Sequence, residues 1–176
     1  HGNGNEVSTE LLGYMKALAD LTDKLKVVAG DGTVSDLPCV RVMRDGKFTG
    51  LAFHGVPGGH EFTSFILGLY NASGRGQELD PAVMAKAQAL TSEVNFKVLV
   101  SLSCTMCPEL VTATQKLATV NPKVTAEVYD LNHFPDLRER YKVMSVPCLV
   151  INDEHIAFGR KNLAQLLEML REKGIA

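Results

Sequence analysis

The stretch from Phe96 to Val111, FKVLVSLSCTMCPELV, decides the fold. Its first half is a nearly continuous apolar run, suited to a central strand covered on both faces. Its second half opens a helix with Leu110, Val111, Leu117 and Ala118 on one side, and Asn121-Pro122 stops that helix. Between them lie two thiols, Cys104 and Cys107. Working outward, VTAEVYDL (124–131) reads as the next strand and FPDLRERYKV (134–143) as a short helix. VPCLVI (146–151) and HIAF (155–158) read as two further strands, and NLAQLLEMLREKG (162–174) as a closing helix with Gly174 as its stop. The order β-α-β-α-β-β-α predicts an α/β sheet with helices on both faces.

The first half of the chain is less regular. Leu11, Met15, Leu18 and Ala19 recur at helical spacing, which predicts a helix from Ser8 to about Asp23. KLKVV (24–28) alternates and predicts a strand. LPCVRV (37–42) and TGLAFHGV (49–56) predict a hairpin turning on Arg44-Asp45-Gly46. HEFTSFILGLY (60–70) predicts a buried-face helix, and Asp80-Pro81 opens another that runs to about Thr91. HGNGN (1–5) is small and polar and reads as a frayed tail.

An internal echo links the halves. LPCVRVMRDGKFTGLAFHG and VPCLVINDEHIAFGR both run apolar-Pro-Cys, apolar strand, polar turn, then a strand containing Ala-Phe. Two copies of one unit are expected, at 8–78 and 79–176, sharing a continuous sheet. The first copy has no paired thiols and no evident strand before its first helix.

Bulk properties exclude several classes of function. The chain has 176 residues, 45% of them hydrophobic, with a net charge of -2 and a pI near 6.2. No basic stripe offers itself to nucleic acid or an anionic membrane, so a protein or small-molecule partner is expected. No run reaches the roughly 18 apolar residues of a spanning helix, and the opening residues lack the apolar centre of a secretory signal. The expected address is therefore cytoplasmic. Four cysteines are too few for a secreted disulfide framework.

Cys104 and Cys107 carry the chemistry. A thiolate rather than a thiol attacks a disulfide, so a working pair needs one cysteine held as the anion and a second within reach. A helix starting around Cys104 or Thr105 would place Cys104 at its positive end, with Cys107 one turn further in. Cys104 should attack and Cys107 should resolve. A C-x-x-C at a strand-to-helix junction in a βαβ pattern is the thioredoxin-like signature. Two other readings stand beside it. Tetrahedral zinc would need Cys39, Cys148, His133 or His155 to converge, giving a metal-binding interaction module instead. A purely structural disulfide would close so short a loop that it removes little chain entropy.

Two more sites attract attention. Pro147 begins a central strand, where its missing N–H makes sense as a cis bond beside a site or as a plain turn proline. Cys148 next to it reads as a small buried hydrophobe, as does Cys39. Glu61 at the start of an apolar helix either complements the helix dipole or serves as an acid near the thiols.

Together GHEFTS, SLSC-x-x-CP, NPKV, VMSVP and the GR before the last helix resemble the N-terminal domain of the flavoprotein subunit of alkyl hydroperoxide reductase. The archaeal protein disulfide oxidoreductases are similar but more distant. The resemblance runs from about Thr9 to the closing helix. It implies two fused thioredoxin-like folds on one sheet, with the thiol pair in the second. It also implies electrons arriving from a flavin (FAD) and NAD(P)H reductase module and leaving to a two-cysteine peroxiredoxin or another protein disulfide. Carried over by residue, Cys104 is the attacking cysteine, Cys107 its resolving partner and Pro147 the cis-proline, with Pro38 as its counterpart in the silent fold. Glu61 matches the acid that reaches toward the thiols and helps proton transfer. This sequence departs from the family at several points. No G-x-G-x-x-G follows a strand, so no cofactor is bound by this chain and the flavin module is expected on a partner or a fused domain. The first fold should lack its opening strand and helix, Thr105-Met106 replaces a His-containing pair, and Cys148 after the proline is unusual. A general thioredoxin- or glutaredoxin-like disulfide reductase is the alternative reading.

Overall fold

The computed structural model describes residues 1–175. The elements are α1 Glu6–Ala19, β1 Cys39–Arg44, β2 Lys47–His54, α2 Glu61–Ala72, α3 Pro81–Ala89, β3 Val94–Val100, α4 Cys107–Val120, β4 Val124–Asp130, α5 Asp136–Arg140, β5 Cys148–Ile151, β6 His155–Phe158 and α6 Leu163–Glu172. All six strands form one sheet in the order β1-β2-β4-β3-β5-β6. β2, β4 and β3 run parallel, while β1 and the β5–β6 hairpin add antiparallel edges. No helix among the described residues is long and apolar enough to cross a membrane.

The central strand is buried as its apolar run requires. Phe96, Val98 and Val100 point into the core under α4, with Leu110 and Leu117. Leu99 points to the other face and meets Tyr129, Cys148 and Val150 beneath Leu137 of α5. Burying side chains of this size contributes about 1.5–3 kcal/mol each, so the sheet core is the main source of stability.

The halves echo each other in hydrogen bonds as well as in sequence. Both Leu37-Pro38 and Val146-Pro147 are cis peptides. The N–H of Gly55 donates to the Pro38 carbonyl at 2.9 Å, and the N–H of Gly159 donates to the Pro147 carbonyl at 3.0 Å. Each proline thus leads its strand into a hairpin whose far end returns to it. The β1–β2 turn uses Asp45 (φ 51°) and Gly46 (φ 76°), the left-handed pair that suits a two-residue hairpin. The fold is therefore two thioredoxin-like units on a shared sheet, the first shortened at its start and without a thiol pair.

Three expectations are corrected. Residues 24–28 form no strand, and chain order explains why. In the second unit the strand after the first helix, β4, pairs within that unit only with β3, and the first unit shows no counterpart of β3 to receive its equivalent. A lone segment cannot satisfy its backbone as a strand. Second, the first unit does keep a helix before its proline strand: α1 stands in chain order where α4 stands, so only the strand is missing. Third, HGNGN is ordered. Asn5 caps α1 by accepting from the Ser8 N–H at 2.8 Å, the Asn3 side chain joins the Ser8 hydroxyl, and His1 is hydrogen-bonded to Cys39.

Candidate functional site

The thiol pair sits where β3 gives way to α4. After Val100 the chain turns tightly, with the Cys104 N–H donating to the Ser101 carbonyl at 2.9 Å. α4 begins at Cys107, not at Cys104 or Thr105, with Met106 as its cap residue and Pro108 in its first turn. Proline suits that place because the first helical N–H groups have no intrahelical acceptor. One of those free donors finds the sulfur: the Cys107 N–H donates to Cys104 Sγ at 3.1 Å. Cys104 and Cys107 are joined as a disulfide with their α-carbons 5.5 Å apart. Cys104 is half-buried at the surface, whereas Cys107 is buried among the core residues Leu110 and Val111.

The proline loop is tied to the same helix. Gly159 bonds back to Pro147, and the next residue, Arg160, places Nε 3.7 Å from Glu109 Oε2 in the first turn of α4. Val146 packs into the core cluster that holds Cys104 and Cys107. Met106 and Met144 are 51% and 81% exposed, so the strand-helix junction and the loop before Pro147 each present an apolar side chain to solvent.

The first unit reaches the thiol loop through the segment before α2. The His60 N–H donates to the Leu102 carbonyl at 2.9 Å, two residues before Cys104. Gly59 makes that approach possible: its φ is 53°, and a Cβ there would lie 2.5 Å from the Leu102 oxygen. Glu61 follows as the first residue of α2 and is fully buried. Burial raises its pKa from 4.5 to about 7, against the smaller opposing pull of the Ser64 hydroxyl on Oε2. Its other oxygen, Oε1, has no hydrogen-bond partner among the described residues. The Ser64 hydroxyl also lies 3.0 Å from the Glu61 carbonyl. One hydroxyl proton cannot serve both oxygens at once, so protonation of Glu61 completes the set. Ser64 and Leu102 carry no motif that singles them out in the sequence. Spacing of three residues on a helix hints at Glu61–Ser64, but only the tertiary fold brings Leu102 to Gly59.

Cys39 and Cys148 are free thiols, both buried. Cys148 belongs to the cluster on the sheet face opposite the one that holds Cys107. Burial pushes its thiol up to about 11. Among the described residues no three His, Cys, Asp or Glu side chains are gathered to hold a metal.

A C-x-x-C that ends a central strand and opens a helix, joined in a disulfide and followed by a cis-proline strand, defines a thioredoxin-fold dithiol–disulfide protein. Residues 94–171 match the family model of the thioredoxin domain. The crystal structure of the NTD_N/C domain of the alkylhydroperoxide reductase AhpF from Enterococcus faecalis superposes with a TM-score of 0.89 at 33% identity, covering 96% of this chain and 86% of that one. The AhpF protein of Pseudomonas aeruginosa is 34% identical over 163 residues, which are 93% of this chain and 31% of the relative. The chain belongs to the AhpF family of alkyl hydroperoxide reductase flavoproteins and corresponds to its N-terminal domain. It spans about a third of the length of the curated relatives it matches. A protein disulfide oxidoreductase from Aeropyrum pernix shares the fold, with a TM-score of 0.81 at 21% identity.

Proposed function

We propose that this chain is a thiol–disulfide exchange module that relays electrons from a flavoprotein reductase to a protein disulfide, that of a two-cysteine peroxiredoxin. The carrying observation is the Cys107 N–H on Cys104 Sγ, with Cys104 near solvent and Cys107 buried behind it. In the reduced protein the same N–H and the helix end favour negative charge on Cys104. The Cys104 thiolate attacks one sulfur of the partner disulfide, forming a mixed disulfide and expelling the partner's other sulfur as a thiolate. Cys107 then attacks Cys104 Sγ, releases the remaining partner sulfur and leaves the Cys104–Cys107 disulfide. Glu61, held in its buried site near neutral pH, takes the proton that Cys107 gives up. The cis-proline Pro147 shapes the strand that faces the pair. Two electrons return the disulfide to the dithiol.

Those electrons come from NAD(P)H through a flavin, on a partner or on a fused reductase domain. Relatives about three times as long as this chain support that reading. We place the boundary between the silent unit, 8–78, and the redox unit, 79–176, in the loop between α2 and α3. A bacterial cytoplasmic address fits the family.

The test is reconstitution. The protein is mixed with a purified flavin reductase, NADH and a two-cysteine peroxiredoxin, and NADH oxidation is followed on adding peroxide. Turnover that depends on this chain supports the relay. Insulin reduced as fast as the peroxiredoxin would replace the dedicated acceptor by a general disulfide reductase, and no turnover with either would end the proposal.

A further inference from the structure

The register of the sheet leaves one strand position open. In the second unit Cys148 pairs with Phe158 on one side and with Leu99 of β3 on the other. In the first unit Cys39 pairs with His54 on one side. On its other side it meets His1: the terminal ammonium donates to the Cys39 carbonyl at 3.0 Å, and the Cys39 N–H donates to the His1 carbonyl at 3.0 Å. Two bonds exchanged within one residue pair are the pattern of an antiparallel ladder. His1 therefore stands to Cys39 as Leu99 stands to Cys148. From Leu99, β3 runs back along β5 to Phe96. Along β1, no described residue takes the corresponding path.

Strand alternation turns the N–H and C=O of Arg41 outward, as it does those of Cys39. Among the described residues no backbone group bonds to Arg41 on that side. The segment from Lys24 to Gly30 borders the same space without pairing to it. Between them lies a cavity of about 890 Å³, lined by Leu11, Met15, Val27, Val40, Val42 and Leu69. Leu12, Val28 and Met43 also line it and are 44%, 74% and 53% exposed. Clustered exposed apolar side chains of this kind mark a surface that binds something. Lys24, Lys26 and Arg41 line the cavity against a single carboxylate, Asp31.

We propose that this slot is a strand-addition site. It takes an extended segment of a protein partner, hydrogen-bonded antiparallel to β1 at Arg41 and running toward His1. Alternate apolar side chains of that segment enter the cavity, and the residues between them are neutral or acidic to suit the surrounding cations. Main-chain bonds supply the docking, and the apolar pocket supplies the selection. The site is separate from the thiol chemistry and stands or falls independently of it.

The probe is a blocked peptide copying Val94–Val100 with Lys97→Glu, added to the intact protein while amide exchange is read by NMR. The expected result is at least tenfold slower exchange at Arg41, with binding at least tenfold tighter than that of the unsubstituted peptide. Arg41→Pro removes the outward donor at an edge position that β2 does not use, and it should weaken peptide binding at least tenfold. If that variant does not fold, the same peptide methylated on the backbone nitrogen opposite Arg41 makes the comparison on the native protein. Unchanged exchange at Arg41 under saturating peptide, or equal binding by the blocked forms, overturns the proposal. So does protection of Arg41 that rises with protein concentration alone, which would show a second copy of the chain covering the edge.

Discussion

The backbone N–H of Cys107 donates to the sulfur of Cys104 at 3.1 Å, so the residue that resolves also holds the residue that attacks. The contact divides the labour between the two thiols: one sulfur near solvent with a donor on it, one buried in the core. Replacing Cys104 with Ser is expected to abolish disulfide reduction. Cys107→Ser is expected to keep the first attack and accumulate a mixed disulfide, visible by non-reducing electrophoresis. In the reduced wild type, iodoacetamide should modify Cys104 at least tenfold faster than Cys107. Equal labelling of the two would reverse the assignment of roles.

Glu61 makes stability depend on pH with a definite sign. Burial raises its pKa from 4.5 to about 7, so the folded protein prefers the protonated carboxyl and the unfolded chain prefers the anion. This contribution is fully present below about pH 4.5 and is lost as pH rises through about 7. The loss is on the order of 3 kcal/mol at 1.36 kcal/mol per pKa unit. Glu61→Gln keeps the shape and cannot ionise, so its denaturation midpoint should stay flat where the wild type declines, and it should be the more stable protein at pH 8. Its reductase rate should fall, because the proton from Cys107 loses its acceptor. Parallel stability curves for the two proteins would show that Glu61 is an ordinary carboxylate.

Gly59 sets the distance between the silent unit and the thiol loop. A methyl group there meets the Leu102 oxygen at 2.5 Å and forces a left-handed backbone on an L-residue. Gly59→Ala should cost about 1–3 kcal/mol. The His60–Leu102 bond should be lost with it, which amide exchange at His60 reports directly. Unchanged protection at His60 would mean that the loop accommodates the methyl group.

What the sequence makes legible follows from what each feature needs. The strand from Val94 to Val100 and the helix beyond it can be read because a continuous apolar run and a helical stripe are local patterns. The Asp45-Gly46 turn is local too, as is Asp80, which caps α3 by accepting from the Ala82 N–H at 2.8 Å. The alternating residues 24–28 mislead because a strand needs a neighbour, and that neighbour lies outside any local window. The start of α4 at Cys107 has its signal in Pro108, since proline belongs to a first helical turn, yet the thiol spacing alone points three residues too early. Asn5 carries a similar signal as a cap, hidden within a polar tail. At the site, both cysteines and Pro147 are readable from spacing. The burial of Glu61 and the Gly59–Leu102 approach arise only when the two units meet.

Cys148 tests whether proximity in sequence to the cis-proline means participation. Its side chain lies with Leu99 and Tyr129 on the sheet face away from Cys107, it is fully buried, and burial pushes its thiol up to about 11. A thiol so placed stays protonated at neutral pH and has no path to a partner disulfide. Cys148→Ala should therefore leave the reductase rate within about twofold of wild type. It should lower stability by about 1 kcal/mol, through the small cavity left beside Tyr129. Native-state alkylation of the reduced protein should reach Cys104 and leave Cys148 unmodified until denaturant is added. Labelling of Cys148 in the folded state, or a large fall in rate in the alanine variant, would make it a third redox thiol.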